Sequence, residues 1–233
     1  MATSGTYNFA MSANDLVSAS LRQTGRFGAT DTIPPGDVSN VLQALNIIVK
    51  AMVKNQKPLW CIQRVPITLV SGTASYNLST ISNTTRPLQI MFAFIRDSTG
   101  NDTEITISSR NDFARLGQKT SPGVPNQAYY DPQLGAGSLT VYNVPNDGTH
   151  TLYVDIQRQI QDFNLLTDNP DFPQEAFHML KWTLADEIAL EYLTPADIRN
   201  DIKAKAAVAY DAFFSEERES TSTFLTPSER SEG

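Results

Sequence analysis

The stretch from Phe172 to Phe214 constrains this chain most, because it reads as two long amphipathic helices that cannot stay dry alone. In its first half, PQEAFHMLKWTLADEIALEYL, residues Ala176, Phe177, Leu180, Leu184, Ile188 and Leu193 recur mostly at steps of three and four. That spacing puts them on one helical face. Pro173 suits a first turn, where its missing N–H costs nothing, and Glu175 suits the positive end of the helix dipole. A stop and restart are predicted at Thr194-Pro195, with Thr194 as cap, Pro195 at the first position and Asp197 three residues after the cap. The second half, ADIRNDIKAKAAVAYDAFF, carries Ile198, Ile202, Ala206, Ala209, Tyr210 and Phe213 on one side. Two such stripes must cover each other and a third apolar surface.

The N-terminal part supplies that surface. Ser12 opens a helix with Asp15 at the capping-box position, and Leu16, Val17, Ala19 and Leu21 give it an apolar side. Gly25 ends it. After the rigid Pro34-Pro35-Gly36, the run DVSNVLQALNIIVKAMVKNQ places Val38, Val41, Leu42, Leu45, Ile48, Val49, Met52 and Val53 at the helical period. It stops before Pro58.

From Trp60 the period changes from 3.6 to two. Val65, Ile67 and Leu69 alternate as in a half-buried strand. Tyr76-Asn77-Leu78 reads as extended, residues 79–87 as a polar loop, and LQIMFAFIRD as an apolar strand. A turn at Ser98–Asp102 leads into TEITISS. A short helix is predicted over 110–117, with Phe113 and Leu116 inward. NQAYYD, SLTVYNV and HTLYVDIQRQI complete what reads as a meander of short antiparallel strands. The fold class is therefore α+β: a helical bundle from residues 1–58 and 172–214, an inserted antiparallel β module over 59–171, and an extended tail over 215–233.

Within that frame no catalytic pattern stands out. His150 and His178 have no companions that complete a ligand set. Cys61 beside Trp60 reads as a small buried hydrophobe. Asp186, Glu187 and Glu191 set carboxylates one turn apart, as a glycosidase uses, yet such acids usually form a solvated helix face. Arg110, Arg115, Lys119, Lys203 and Lys205 are scattered, and Tyr129-Tyr130 at strand spacing present one ring inward and one outward. The net charge of −7 argues against a general nucleic-acid binder, which gains affinity by releasing counterions from phosphates. No cofactor or metal is expected. No apolar run has the length to span a membrane. A lone cysteine rules out an intramolecular disulfide, and the first thirty residues lack a signal-sequence pattern, so folding in a cytoplasm is expected.

The β region resembles the head-to-tail adaptor proteins of short-tailed bacteriophages, of the tail tubular protein A and packaged-DNA-stabilisation type. The matching features run in order: a helix pair ending at Trp60, then Gly72 with Tyr76-Asn77-Leu78, then Ile95-Arg96-Asp97. Arg110 to Phe113, Gly123-x-Pro125, Tyr129-Tyr130-Asp131 and Val144-Pro145 follow. Last come Thr167-Asp168 and Pro170 before an alanine-rich helix. The resemblance spans roughly residues 15–214.

This resemblance implies a structural virion protein rather than an enzyme. Such adaptors form a ring, commonly of twelve copies, beneath the portal, joining capsid to tail and passing DNA without specific binding. The implied partners are the portal protein, a tail nozzle or other tail protein, and further copies of the chain. Phe213, Phe214, Phe224 and Leu225 are the candidates for portal binding, and Asp186, Glu187, Asp197 and Asp201 for lining the channel. The alternatives are a tail-associated peptidoglycan hydrolase and a neck or tail-completion protein of a longer-tailed phage. The implied location is the virion, assembled in a host cytoplasm.

Overall fold

The computed structural model describes residues 4–82 and 86–216. The chain forms α1 (Ala13–Gln23), α2 (Pro35–Asn55), β1 (Ile62–Thr68), β2 (Ser75–Asn77), α3 (Leu78–Ile81), β3 (Gln89–Arg96), β4 (Asp102–Glu104), β5 (Thr106–Ile107), α4 (Arg110–Arg115), β6 (Gln127–Gln133), β7 (Ala136–Tyr142), β8 (Thr151–Gln157), α5 (Ala176–Ile188) and α6 (Ala196–Glu216). It is an α+β fold.

Helices from both ends share one apolar core. The period-3.6 stripes predicted for α2, α5 and α6 are its substance: Val41, Leu45, Val49, Leu180, Leu184, Ile202 and Ala206 are all buried there. α5 is the hub, touching α1, α2 and α6. The capping box at the start of α1 forms as expected. The Ser12 hydroxyl accepts from the Asp15 N–H at 3.2 Å, and the Asp15 carboxylate accepts from the Ser12 N–H at 3.0 Å. Those bonds, the hydroxyl's own donation first, hold the Asp15 carboxyl below its ordinary range. The small Ser20 lies where α1 meets α5, its hydroxyl proton shared between the Leu16 carbonyl of its own helix at 2.8 Å and the Lys181 carbonyl of α5 at 3.0 Å.

Two details of the α5–α6 corner differ from expectation. α5 ends at Ile188, and Leu193 leaves the stripe: it is 85% exposed in a left-handed backbone at φ 52°. Reversing the chain direction needs one such residue, and that conformation turns the Leu193 side chain away from the core. Thr194 is buried but does not cap. Its hydroxyl has no partner among the described residues, and α6 begins with the Arg199 N–H on the Pro195 carbonyl at 2.9 Å.

The strands form two sheets rather than a meander. One has the order β1-β8-β3-β4, the other β2-β7-β6-β5, and β5 pairs parallel to β6. Their inner faces share a second core, with Val65, Ile67, Ala93, Ile95, Leu152 and Val154 from one sheet and Tyr76, Ala128, Leu139 and Val141 from the other. Alternation along each strand is what puts these side chains on one face. The chain changes sheet at Ile105, whose N–H bonds to the Ala93 carbonyl at 3.1 Å. α3 runs from Leu78, expected as extended, into the expected polar loop, capped by Asn77 through the Ser79 N–H at 3.0 Å. Leu78 at its start is fully buried.

Candidate docking surfaces

The helical and sheet bodies meet at the end of β8. Gln157 is 2% exposed, and its amide donates to the Val53 carbonyl at 3.0 Å and the Gln56 carbonyl at 3.2 Å. These are C-terminal carbonyls of α2, which have no partner within the helix. The Gln157 side-chain oxygen accepts from Gln89 on β3 at 2.6 Å. The next residue, Arg158, pairs through both guanidinium nitrogens with Asp171, the second bond at 2.9 Å. The Asp171 hydrogen bonds raise the pKa of the part-buried Arg158 against the opposing effect of burial. Residues 158–171 then run along α2, held by Asn46 to Phe163 at 2.9 Å in both directions and by Lys50, which donates to the Ile160 carbonyl and reaches Asp162 at 2.7 Å. Ile160 and Phe163 are buried in the helical core.

At the other end of the bundle, Tyr192 ties the α5–α6 corner to the start of α2. Its hydroxyl donates to an Asp37 carboxylate oxygen at 3.1 Å, and the Arg26 guanidinium lies 5.4 Å from its ring. Burial first, then the Asp37 contact, pushes that hydroxyl up to about 12.

Of the four candidate channel acids, Asp186 and Glu187 stand on α5 and Asp197 and Asp201 on α6. Glu187 lies in a shallow groove between α5 and α2 with Asn40, Gln43, Ile47 and Glu191. Asp186 precedes it and is partly buried. Asp197 and Asp201 are exposed on the first turns of α6, where the helix dipole favours acids. None of the four forms an ion pair among the described residues. Phe213 and Phe214 are 9% and 8% exposed. Phe213 meets Trp60 edge-on at 5.6 Å, and Phe214 packs on Tyr210 at 4.8 Å. Both rings are thus engaged within the chain's own core. Phe224 and Leu225 lie outside the described residues.

A second groove, of about 410 Å³, runs between α5 and α6 and is lined by His178, Trp182, Ala204, Lys205, Val208 and Ala209. Lys181 and Lys205 hold their ammonium groups 4.5 and 4.8 Å from the centre of the Trp182 ring. The sequence carried a signal for it that core periodicity alone passes over. His178 and Trp182 stand one turn apart beside the core stripe, opposite Ala204 and Val208 at the same spacing. Val208 is 69% exposed. Other exposed apolar side chains include Ile47 on α2, Leu190 in the turn after α5 and Leu134 in the β6–β7 turn.

On the outer face of the first sheet, Phe94 stacks on Tyr153 at 5.0 Å, with the guanidinium groups of Arg64 and Arg96 5.2 and 5.6 Å from the Phe94 ring. Asp155 and Asp102 neutralise these arginines through paired bonds at 2.7 Å. The other chemistry candidates have structural partners. His150 bonds to Asp147 at 3.0 Å. Tyr129 stacks on Phe113 at 5.5 Å, and the Tyr130 hydroxyl donates to the Pro87 carbonyl at 2.6 Å. Cys61 is buried in the helical core. Among the described residues no group of three or more His, Cys, Asp or Glu side chains is placed to hold a metal ion. No helix among them is long and apolar enough to cross a membrane.

The surfaces on offer are therefore open, partly apolar grooves on the helices and a polar cleft of about 790 Å³, lined by Lys50, Gln63, Arg158, Asp162 and Asp171, where helices and sheets meet. No curated protein matches the chain. A family model described as SU10 adaptor protein matches residues 11–229.

Proposed function

The chain belongs to the SU10 adaptor protein family, and from that premise we propose that it is the ring-forming joint between a phage head and its tail. The family makes it a phage adaptor, a structural protein of the virion whose work is contact with other head and tail proteins. The finer reading adds a closed ring of copies beneath the portal, with a channel for the genome. In this reading residues 1–58 and 172–214 are the bundle that meets the portal and neighbouring copies. Residues 59–171 are the head that meets the next tail component, and 215–233 are a strap. Kinship to the tail tubular protein A type belongs to the same proposal.

The observation that carries it is the extent of the family match, which covers both bodies and the joint rather than one of them. The surface supports it. A ring needs a heterologous interface, in which one patch meets a different patch on the next copy. Ile47 on α2 and Leu190 after α5 expose apolar side chains that the chain's own core leaves uncovered.

The test is the mass of the particle formed when the full chain is mixed with its portal protein. Native mass spectrometry should show the portal mass increased by a fixed number of 25.7 kDa increments. A portal that remains unliganded at micromolar adaptor concentrations would remove the proposal.

A further inference from the structure

We propose that the α5–α6 groove is the docking site of the chain's own C-terminal segment, residues 217–233, with Phe224 and Leu225 seated beside Trp182. The groove's form comes first. Ala204 and Ala209 leave a trough where larger side chains would fill it, and Trp182 and Val208 supply apolar walls. Its volume of about 410 Å³ lies at the lower end of the range for small-ligand clefts, about 300–1,000 Å³, enough for a few side chains rather than a whole element.

Charge is the second argument. Lys181 and Lys205 converge on one indole ring, and neither forms an ion pair among the described residues. Two like charges over one ring repel each other and attract an acidic strand. Residues 217–233 carry Glu217, Glu219, Glu229 and Glu232 against Arg218 and Arg230, with Phe224-Leu225 as their only large apolar side chains.

Reach is the third. α6 is described to Glu216, so the segment starts at the helix end nearest the groove. The helix between Ala204–Ala209 and Glu216 rises about 10–18 Å, at about 1.5 Å per residue. The extended backbone between Glu216 and Phe224 reaches about 27 Å, at about 3.4 Å per residue. A chain that reverses after Glu216 therefore brings Phe224 and Leu225 level with Trp182, with length to spare for the turn. The family match runs to residue 229, so this stretch belongs to the matched sequence rather than trailing behind it. The inference concerns the isolated chain and does not rest on the ring.

A cysteine pair in the full chain tests it. Val208→Cys with Leu225→Cys should oxidise within one chain, with the mass of a monomer and several times the yield of the control pair Leu134→Cys with Leu225→Cys. Val208 and Leu134 are both exposed, so neither change threatens folding. Adding Lys181→Glu and Lys205→Glu should lower the yield several-fold at low salt. A yield no greater than the control, or cross-links formed only between chains, would overturn the proposal. Because no portal is present, failure here leaves the mass measurement with portal untouched.

Discussion

The side-chain amide of Gln157 donates to the carbonyl of Val53 at 3.0 Å, tying the last strand of the sheets to the last turn of α2. One buried polar side chain thus serves three partners: Val53, Gln56 and Gln89. Gln157→Leu keeps the volume and leaves all three unsatisfied. Each buried orphan costs about 1–3 kcal/mol, some of it relieved by water, so a loss of about 2–3 kcal/mol in total is expected. Chemical denaturation measures it, and a change under 1 kcal/mol would show that the joint lies elsewhere.

Asp171 and Arg158 make the second fastening, with side chains 24% and 20% exposed. Exposed pairs contribute under about 1 kcal/mol, and breaking buried ones costs about 3–5 kcal/mol. Asp171→Ala should fall between, at about 2 kcal/mol. Arg158→Met removes the cation and leaves the Asp171 carboxylate with the Gln161 N–H at 3.2 Å, so it should cost about as much. A loss under about 1 kcal/mol for both variants in urea melts would contradict this account.

The capping box of α1 gives a pH dependence. Asp15 has a lowered pKa in the folded chain, so its contribution is fully present above its ordinary value of 3.8 and disappears as pH falls through the folded value. Ser12→Ala should destabilise by about 1 kcal/mol at pH 7. The gap between variant and parent should narrow below about pH 4, where the unfolded chain begins to protonate Asp15 before the folded parent does. Thermal melts from pH 7 to pH 3 would follow it.

Gly137 on β7 faces Tyr130 on β6. A Cβ at Gly137 would sit 2.8 Å from Tyr130 Cε2, in a ring whose hydroxyl is fixed to the Pro87 carbonyl. The ring cannot swing away without losing that bond. Gly137→Ala should cost about 2 kcal/mol, the usual scale of overpacking. Combined with Tyr130→Ala it should cost less than the sum of the two, because the clash is gone.

If Asp186, Glu187, Asp197 and Asp201 face a genome channel in the assembled ring, lysines at these positions would hold DNA phosphates that acids let pass. Virions carrying the four substitutions should eject DNA more slowly, with the delay shortened by added salt. Ejection at the parental rate would place these acids on the outside.

What the sequence determined by itself was the facing of the long elements. Period 3.6 over α2, α5 and α6, and period two over β1, β7 and β8, record which side of each element is buried. That is a local property, written residue by residue. The capping box at Ser12 was legible for the same reason, since all its atoms come from four consecutive residues. Partners distant in the chain were not legible. Nothing local says that β8 lies between β1 and β3, that β5 runs parallel to β6, or that Gln157 closes the end of α2. Phe213 is spaced like a core residue, and it and Phe214 beside it both stood as candidates for portal binding. The tertiary structure put both rings inside, because Trp60 and Tyr210 offered them apolar surface. The groove at Trp182 likewise exists only where two helices meet. Burial of a face is set by composition along one element, but what covers that face is set by which element arrives there, and that depends on the whole chain at once.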